Sequence, residues 1–410
     1  MHSRPRPSPS HLAVLAIVAA GSCAHGITEG PLVEQQVGSV VAFVGVSVIS
    51  METDRVDPSR TVIVTDGRIT AITPATIAPP DGATRIDGGG KFLIPGLIDM
   101  HVHMRRADFP AYVAHGVTSV RNMWGYGGLL ALKETSDGAL IYGPTSPAIY
   151  SVSPGLDGPN VQWPETRVVA SAADAEAAVE EMKVDGWRWL KAYSSLSRES
   201  YDAIVAAARA RGLPVLGHVP FSIDIHHALA MKQMSIEHLS GYDRALSGGR
   251  GATAAWLAAD LSKAPALAAE TKSAGTWNCP TSAVLDAIAA RGGSDTRRQA
   301  AEARRGMVRA LHQAGARLIA GTDAGIDITL PGTSIHDELK ELVASGLTPY
   351  EALRAATKDA AEFLGREGEI GMIAAGKRAD FVLLRENPLA EIARSRAIEG
   401  VMVRGRWFAR

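Results

Sequence analysis

Six residues far apart in the sequence are of types that can hold divalent metal ions: His101, His103, Lys191, His218, His238 and Asp323. The first two stand one residue apart in the apolar run "LIPGLIDMHVHM" (93–104). If that run is a strand, alternate side chains share a face, so both imidazoles point one way and Val102 the other. Neutral imidazole and carboxylate oxygen both suit Zn²⁺, which makes His-x-His on a strand a ready chelating pair. The chemistry such a set would do is hydrolysis, because bound divalent ions bring the pKa of water down to about 7 and polarise carbonyl oxygens. A single histidine at a strand end is more often a packing or surface residue than a ligand. For all six, at the ends of five candidate strands, the bland reading needs repeated coincidence.

The elements that must position these residues are legible in the central part of the chain. Short apolar runs alternate there with Ala-rich helical segments, the pattern of repeated βα units. Candidate strands end near residues 101, 121, 150, 191, 218, 238, 279 and 323, and Lys191, His218, His238 and Asp323 each stand at the C-terminal end of one of them. Helices fit between, for example 197–212, with a Ser start and a Gly stop, and 348–365, which opens with a Thr-Pro-x-Glu capping box. Eight strands with intervening helices over 95–365 predict an α/β fold, a (β/α)8 TIM barrel, whose chemistry sits at the C-terminal ends of its strands. The weakest stretch is the third strand, set in the Gly/Pro-rich loop "GPTSPAIYSVSPGLDGP" (143–159).

Both ends of the mature chain read differently. Residues 38–94 hold short Val/Ile/Thr-rich runs cut by Asp-Gly and Gly-Gly, and the same style returns within 366–410. Asp66-Gly67 is a tight hairpin signal, and Arg404-Gly405 sits between two strand-like runs. These segments predict one small β-sandwich built from both ends.

The 410 residues are 46% hydrophobic and 21% charged with a formal net charge of -1, so disordered and fibrous classes are out and neither nucleic acid nor an anionic membrane surface is implied as partner. The run 297–306 reads as a solvated helix face. At the N-terminus, Arg4 and Arg6 precede an apolar run (12–21) and small residues, the order of a signal peptide over 1–23. That run is only about half the roughly 20 residues that span a bilayer. "AGSC" (20–23) resembles a lipobox that would acylate Cys23, with ordinary cleavage after Ala24 the alternative. The chain is expected to be exported, to be periplasmic or a membrane-anchored lipoprotein, and to form no intrachain disulfide, since only Cys279 remains. A homo-oligomer is compatible with this composition.

The ordered motifs "PGLIDMHVH", "WLK" (189–191), "GH" (217–218), "EH" (237–238), "GTDAG" and the tail "GMIAAGKRADFVLLRENPL" resemble the amidohydrolase superfamily of metal-dependent hydrolases over nearly the whole mature chain. Within it the chain is most similar to imidazolonepropionase-like proteins and Xaa-Pro dipeptidases, on "GVTSVRNM" and "GLTPYEALRAAT". The resemblance implies that His101, His103 and Asp323 hold one divalent ion and His218 and His238 a second, most simply zinc. Lys191, carboxylated by carbon dioxide, would bridge them; the alternative is an ammonium paired with Asp323 and a mononuclear site. Asp323 would pass the proton from the attacking water to the leaving nitrogen.

The expected substrate is a small amide, a peptide, N-acyl amino acid or aryl amide. Residues near the strand ends that could bind it are Tyr150, Tyr193, Tyr242, Asn278 and His336, each equally readable as a loop or supporting residue. "GHVP" departs from the dipeptidases after the fifth-strand histidine, which argues against their carboxylate clamp. Of the tryptophans near strand ends (Trp124, Trp163, Trp187, Trp189, Trp277), one or two would line an apolar pocket. Two other functions compete: a mononuclear cyclic-amide hydrolase or deaminase, and a non-catalytic periplasmic binding protein on the same scaffold.

Overall fold

The computed structural model describes residues 32–135, 138–248, 252–290, 295–326 and 328–410. Residues 1–23, expected from the sequence to be an export signal, and with them Cys23, lie outside the described residues. Among the described residues no helix is long and apolar enough to cross a membrane.

Both ends of the chain meet in one nine-stranded sheet. Val40–Val48, Asp57–Thr65 and Arg68–Pro74 run antiparallel. Phe92–Pro95 pairs with Phe381–Leu384, and pairing continues through Ile398–Val403 and Arg406–Ala409 to Val33–Gln35. The hairpin signal at Asp66-Gly67 is borne out, with φ of 49° and 77°, and Arg404-Gly405 joins its two strands by the same doubly left-handed turn, with φ of 49° and 78°. The two tips abut so closely that a Cβ on Gly405 would lie 2.5 Å from the Cα of Gly67. Phe43 packs edge-on against Phe381 and Trp407, with centroids 4.9 and 5.0 Å away, in the middle of this sheet's core.

Between those ends lie eight parallel strands close to the positions read from the sequence: β1 (Leu97–Val102), β2 (Val117–Asn122), β3 (Ala148–Ser151), β4 (Leu190–Ala192), β5 (Val215–Gly217), β6 (Ser235–Glu237), β7 (Trp277–Cys279) and β8 (Arg317–Leu318). Gly96, where the chain turns into β1, passes so close to β2 that a Cβ would sit 2.1 Å from Thr118 Oγ1. Pairing divides the strands into a five-stranded sheet containing β1, β2 and β3 and a seven-stranded sheet containing β4 to β8. The division falls at the third strand. Pro154 cannot donate to a ladder, so the chain leaves β3 after Ser151 and pairs with β4 only from Gly155–Asp157. Ser153 N donates to Trp189 O (2.9 Å) across that gap. At the opposite margin Met100 N donates to Ala320 O (2.9 Å) and His103 N to Ala324 O (2.7 Å).

Two boundaries differ from the sequence reading. β8 stops at Leu318, short of Asp323: Ala320 N turns to Ala355 O (3.1 Å), and Thr322 N is shared between His101 O (3.2 Å) and Asp99 Oδ1 (3.0 Å), with Thr322 Oγ1 donating to Asp99 Oδ2 (2.6 Å). The helix expected over 348–365 is two, Pro349–Ala355 and Lys358–Phe363. Its capping box at Thr348 and Glu351 is present, but Ala355 O and Ala356 O are taken by Ala320 N and Ile98 N from the parallel strands, so the helix cannot continue through them. The helix Arg198–Ala210 starts on Ser197, which accepts from Ser200 N. Asp295–Ala314 carries the basic run, with Met307, Val308 and Leu311 buried on its inner face.

Candidate metal centre

The C-terminal ends of β1, β4, β5, β6 and β8 bring the six residues together. The ring of His101 lies 5.5 Å from that of His103 and 4.5 Å from that of His238, and the His218 ring lies 5.0 Å from His238. Asp323 Oδ1 approaches His103 Nε2 (3.1 Å) and His101 Nε2 (3.3 Å). Ligating atoms of His101, His238 and Asp323 all fall within 4.8 Å of one another. Lys191 is fully buried at the end of β4.

Backbone conformation turns two of these side chains inward. His238 and Asp323 have φ of 59° and 56°, the left-handed region that non-glycine residues seldom occupy. In regular strand, neighbouring Glu237 and His238 would face opposite ways. The kink lets Glu237 bond Nδ1 of His101 while the His238 ring lies against the same imidazole.

Each of three histidines is gripped from behind at Nδ1. Glu237 Oε2 lies 2.8 Å from Nδ1 of His101, Ser194 Oγ 2.8 Å from that of His218, and Thr281 Oγ1 2.7 Å from that of His238. These bonds orient the rings and leave Nε2 for the centre. Glu237 is itself held by buried Arg121, whose Nη2 donates to both carboxylate oxygens at 2.9 Å, and by Ser235. Asp99 receives the backbone N–H of His101 and both donors of Thr322, so it sets the chain at His101 and Asp323 rather than a ring.

Burial pushes His101 and His218 well below the usual histidine range and lowers His238, so these rings are neutral and their lone pairs available. Burial opposes ionisation of Asp323, yet the facing His238 and His101 hold its carboxyl below the usual carboxylate range. Burial brings the Lys191 ammonium down to about 8, against 10.5 for an ordinary lysine, so a neutral amine is within reach near physiological pH. The same effect lifts Asp99 to about 7.

The residues fit a cation. His101 Nε2 and Asp323 Oδ1 are buried without a hydrogen-bond partner, an arrangement that costs free energy unless something positive lies between acceptors. Cys279 also comes within reach of His101 and Glu237, but both oxygens of Glu237 are on Arg121 and burial pushes the thiol well above its usual range.

Of the residues expected to bind substrate, only Tyr193 is placed at the centre, its ring 4.3 Å from His218. Tyr150 is buried in an apolar cluster with Met100, Met123 and Trp189. Tyr242 is buried too, with its hydroxyl on Asn278 Oδ1 (2.8 Å) and near Thr271, while Asn278 Nδ2 donates to Thr276 O (3.3 Å). His336 ties its helix to the C-terminal segment through Nδ1 to Ser395 Oγ (2.9 Å), and to the turn before β2 through Nε2 to His115 O (3.1 Å). For these four the correction is the same: proximity to a strand end along the chain does not determine which way a side chain points. Trp124 and Trp163, by contrast, line a cavity of about 500 Å³ beside His103. Arg121, Glu237, Thr281 and Ser194 were not singled out from sequence. A charged arginine inside the apolar strand "GVTSVR" was the one signal available, since a buried charge demands a partner.

Histidines, a carboxylate and a lysine converging beyond the strand ends of an α/β fold form a candidate metal centre. Residues 92–408 match the model described as "Amidohydrolase family", and the chain belongs to that family. It is 26% identical over 368 residues to an adenine deaminase of Chelativorans sp. (strain BNC1), covering 83% of this chain and 53% of that protein. The chain thus spans about half the length of the adenine deaminases it matches. It is 28% identical over 360 residues to an imidazolonepropionase of Mycolicibacterium smegmatis, covering 79% of this chain and 83% of the relative. Among solved structures, a Xaa-Pro dipeptidase with bound methionine in the active site superposes with a TM-score of 0.71 at 20% identity, covering 91% of this chain and all of the other; that likeness is one of fold.

Proposed function

We infer that the chain is an exported, binuclear amidohydrolase that cleaves an amide bond of a peptide, N-acyl amino acid or aryl amide. In this reading His101, His103 and Asp323 hold one divalent ion, His218 and His238 a second, and carboxylated Lys191 bridges them. The observation that carries it is the pair of buried, unpartnered acceptors His101 Nε2 and Asp323 Oδ1 facing one another amid histidines locked from behind.

Two divalent ions bound there, most simply zinc, would supply a water acidic at neutral pH and polarise the substrate carbonyl. The chain's own residues do the rest. Glu237, Ser194 and Thr281 fix the rings of His101, His218 and His238. Lys191, brought down to about 8, supplies the neutral amine that carboxylation requires. Asp323, with Oδ1 turned toward the histidines, has Oδ2 left to accept the proton of the attacking water and to return it to the leaving nitrogen.

The scaffold in this reading is a (β/α)8 barrel over 95–365 with a β-sandwich from 38–94 and 366–410; the backbone bonds at both margins of the parallel strands support closure. Residues 1–23 act as the export signal, with lipidation at Cys23 the membrane attachment. The named relatives support a second reading, a mononuclear cyclic-amide hydrolase or deaminase. Metal analysis decides between them: two ions per chain that fall to at most one in Lys191→Ala support the binuclear site, and one ion in both proteins overturns it. A screen of zinc-loaded protein against N-acyl amino acids, dipeptides, cyclic amides and lactones then tests the reaction.

A further inference from the structure

The 500 Å³ cavity beside His103 is walled by Trp124, Tyr126 and Trp163 and by Ile326, close after Asp323. Its aromatic wall is fixed by directional bonds. Trp124 donates Nε1–H to Pro164 O (3.0 Å), and its ring lies against Gly155, where a Cβ would come within 2.1 Å of it. Trp163 donates Nε1–H to Tyr193 Oη (2.7 Å), and the Tyr193 ring meets Trp124 edge-on at 5.1 Å and lies 4.3 Å from His218. The wall therefore runs without interruption from cavity to metal centre.

Those bonds decide what the wall can recognise. Both indoles have spent their only donor inside the protein, so they offer a ligand ring faces and edges rather than hydrogen bonds. Trp163 is 44% and Tyr126 40% exposed, apolar area that an occupant would cover. Among the described residues, the charged side chains that line the cavity, Arg105 and Glu165, are of opposite sign, and Arg105 Nε donates to Asp108 (3.0 Å).

We propose that this cavity selects amides that carry an aromatic or comparably flat apolar group next to the scissile carbon–nitrogen bond, in preference to small aliphatic amides and zwitterionic dipeptides. The assignment rests on the amidohydrolase reading above for its scissile bond, but the cavity can be tested without turnover. An occupied cavity of this kind should be worth about tenfold to a hundredfold in affinity for a phenyl-sized group.

The probes are acetanilide and N-propylbenzamide, with the ring on either side of the bond, and N-propylacetamide and glycyl-proline as the aliphatic and zwitterionic comparisons. Binding is read by quenching of tryptophan fluorescence in metal-free protein, and kcat/KM in zinc-loaded protein. The expected result is at least tenfold tighter binding of either aryl amide, lost in Trp163→Ala and retained in Trp163→Phe, with the same order in kcat/KM. Equal binding of all four probes, or aryl binding indifferent to Trp163→Ala when Trp163→Phe folds normally, overturns the proposal. Turnover with preference for glycyl-proline overturns it while leaving the hydrolase reading intact. Trp163-dependent aryl binding without hydrolysis of any amide upholds the cavity and counts against the hydrolase reading.

Discussion

Oε2 of Glu237 lies 2.8 Å from Nδ1 of His101, and both side chains are wholly buried. Because Arg121 engages both oxygens of the same carboxylate, the orientation of a candidate ligand depends on an ion pair that never meets solvent.

Replacing that carboxylate should cost on two counts. Glu237→Gln keeps the shape but strands the Arg121 charge, which typically destabilises by about 3–5 kcal/mol, and weakens metal binding by about 10- to 100-fold. Chelator competition and urea midpoints measure the two losses separately. Restored stability without restored affinity in Arg121→Met/Glu237→Gln would assign them to different causes. Undiminished affinity in Glu237→Gln would show that the bond does not position His101.

Asp323→Asn should separate proton transfer from metal holding. The amide can still offer an oxygen to an ion but cannot act as a base at neutral pH, so turnover should fall by about 10²- to 10⁴-fold while much of the bound metal stays. Elemental analysis and kcat on one preparation test this, and near-normal rates would remove Asp323 from the proton path.

His336 should make the fold sensitive to acid. Burial, with Arg396 and His115 adding to it, brings this imidazole down to about 3, against 6.5 for an ordinary histidine. Between those values the unfolded chain binds a proton that the folded chain does not, so stability falls as pH drops from about 6.5 toward 3. One such group contributes up to about 1.4 kcal/mol per pH unit. Urea midpoints of wild type and His336→Asn between pH 4 and 7 should diverge with that slope; parallel curves would show that His336 titrates normally.

The touching hairpins should tolerate no side chain at Gly405. Gly405 has φ of 78° and its Cβ position lies 2.5 Å from Gly67 Cα, so Gly405→Ala combines an unfavourable left-handed alanine with a backbone clash. A loss of about 2 kcal/mol is expected, the first part alone being about 1–2. Thermal melting should show it, whereas Gly82→Ala, equally left-handed but in open space, should lose only the conformational part.

Where side chains converge on one point, the sequence was a good guide. His-x-His on β1 and the residues ending β4, β5 and β6 needed only the alternation of a strand and the polarity of βα units to be grouped. Less legible was anything set by a local break in regularity. Asp323 reaches the centre through an irregular stretch beyond β8 that Asp99 holds in place, and the third strand is interrupted at Pro154. The hydroxyls of Ser194 and Thr281 matter through direction alone, which spacing cannot convey. Tyr242 and Asn278 show the converse, for polar groups beside the site prove to satisfy each other inside the core.

The sheet that joins the two ends also imposes a timetable. Among the described residues, Phe92–Pro95 finds its antiparallel neighbour only in Phe381–Leu384, and Val33–Gln35 only in Arg406–Ala409, some hundreds of residues later. At about 5–20 residues per second, a ribosome would leave the early strands with open edges for roughly tens of seconds. During that interval they are templates for aggregation unless something covers them. A nascent chain therefore cannot close this sheet until Arg406–Ala409 is free to pair, and removing that strand should leave an open edge on Val33–Gln35, far away in sequence.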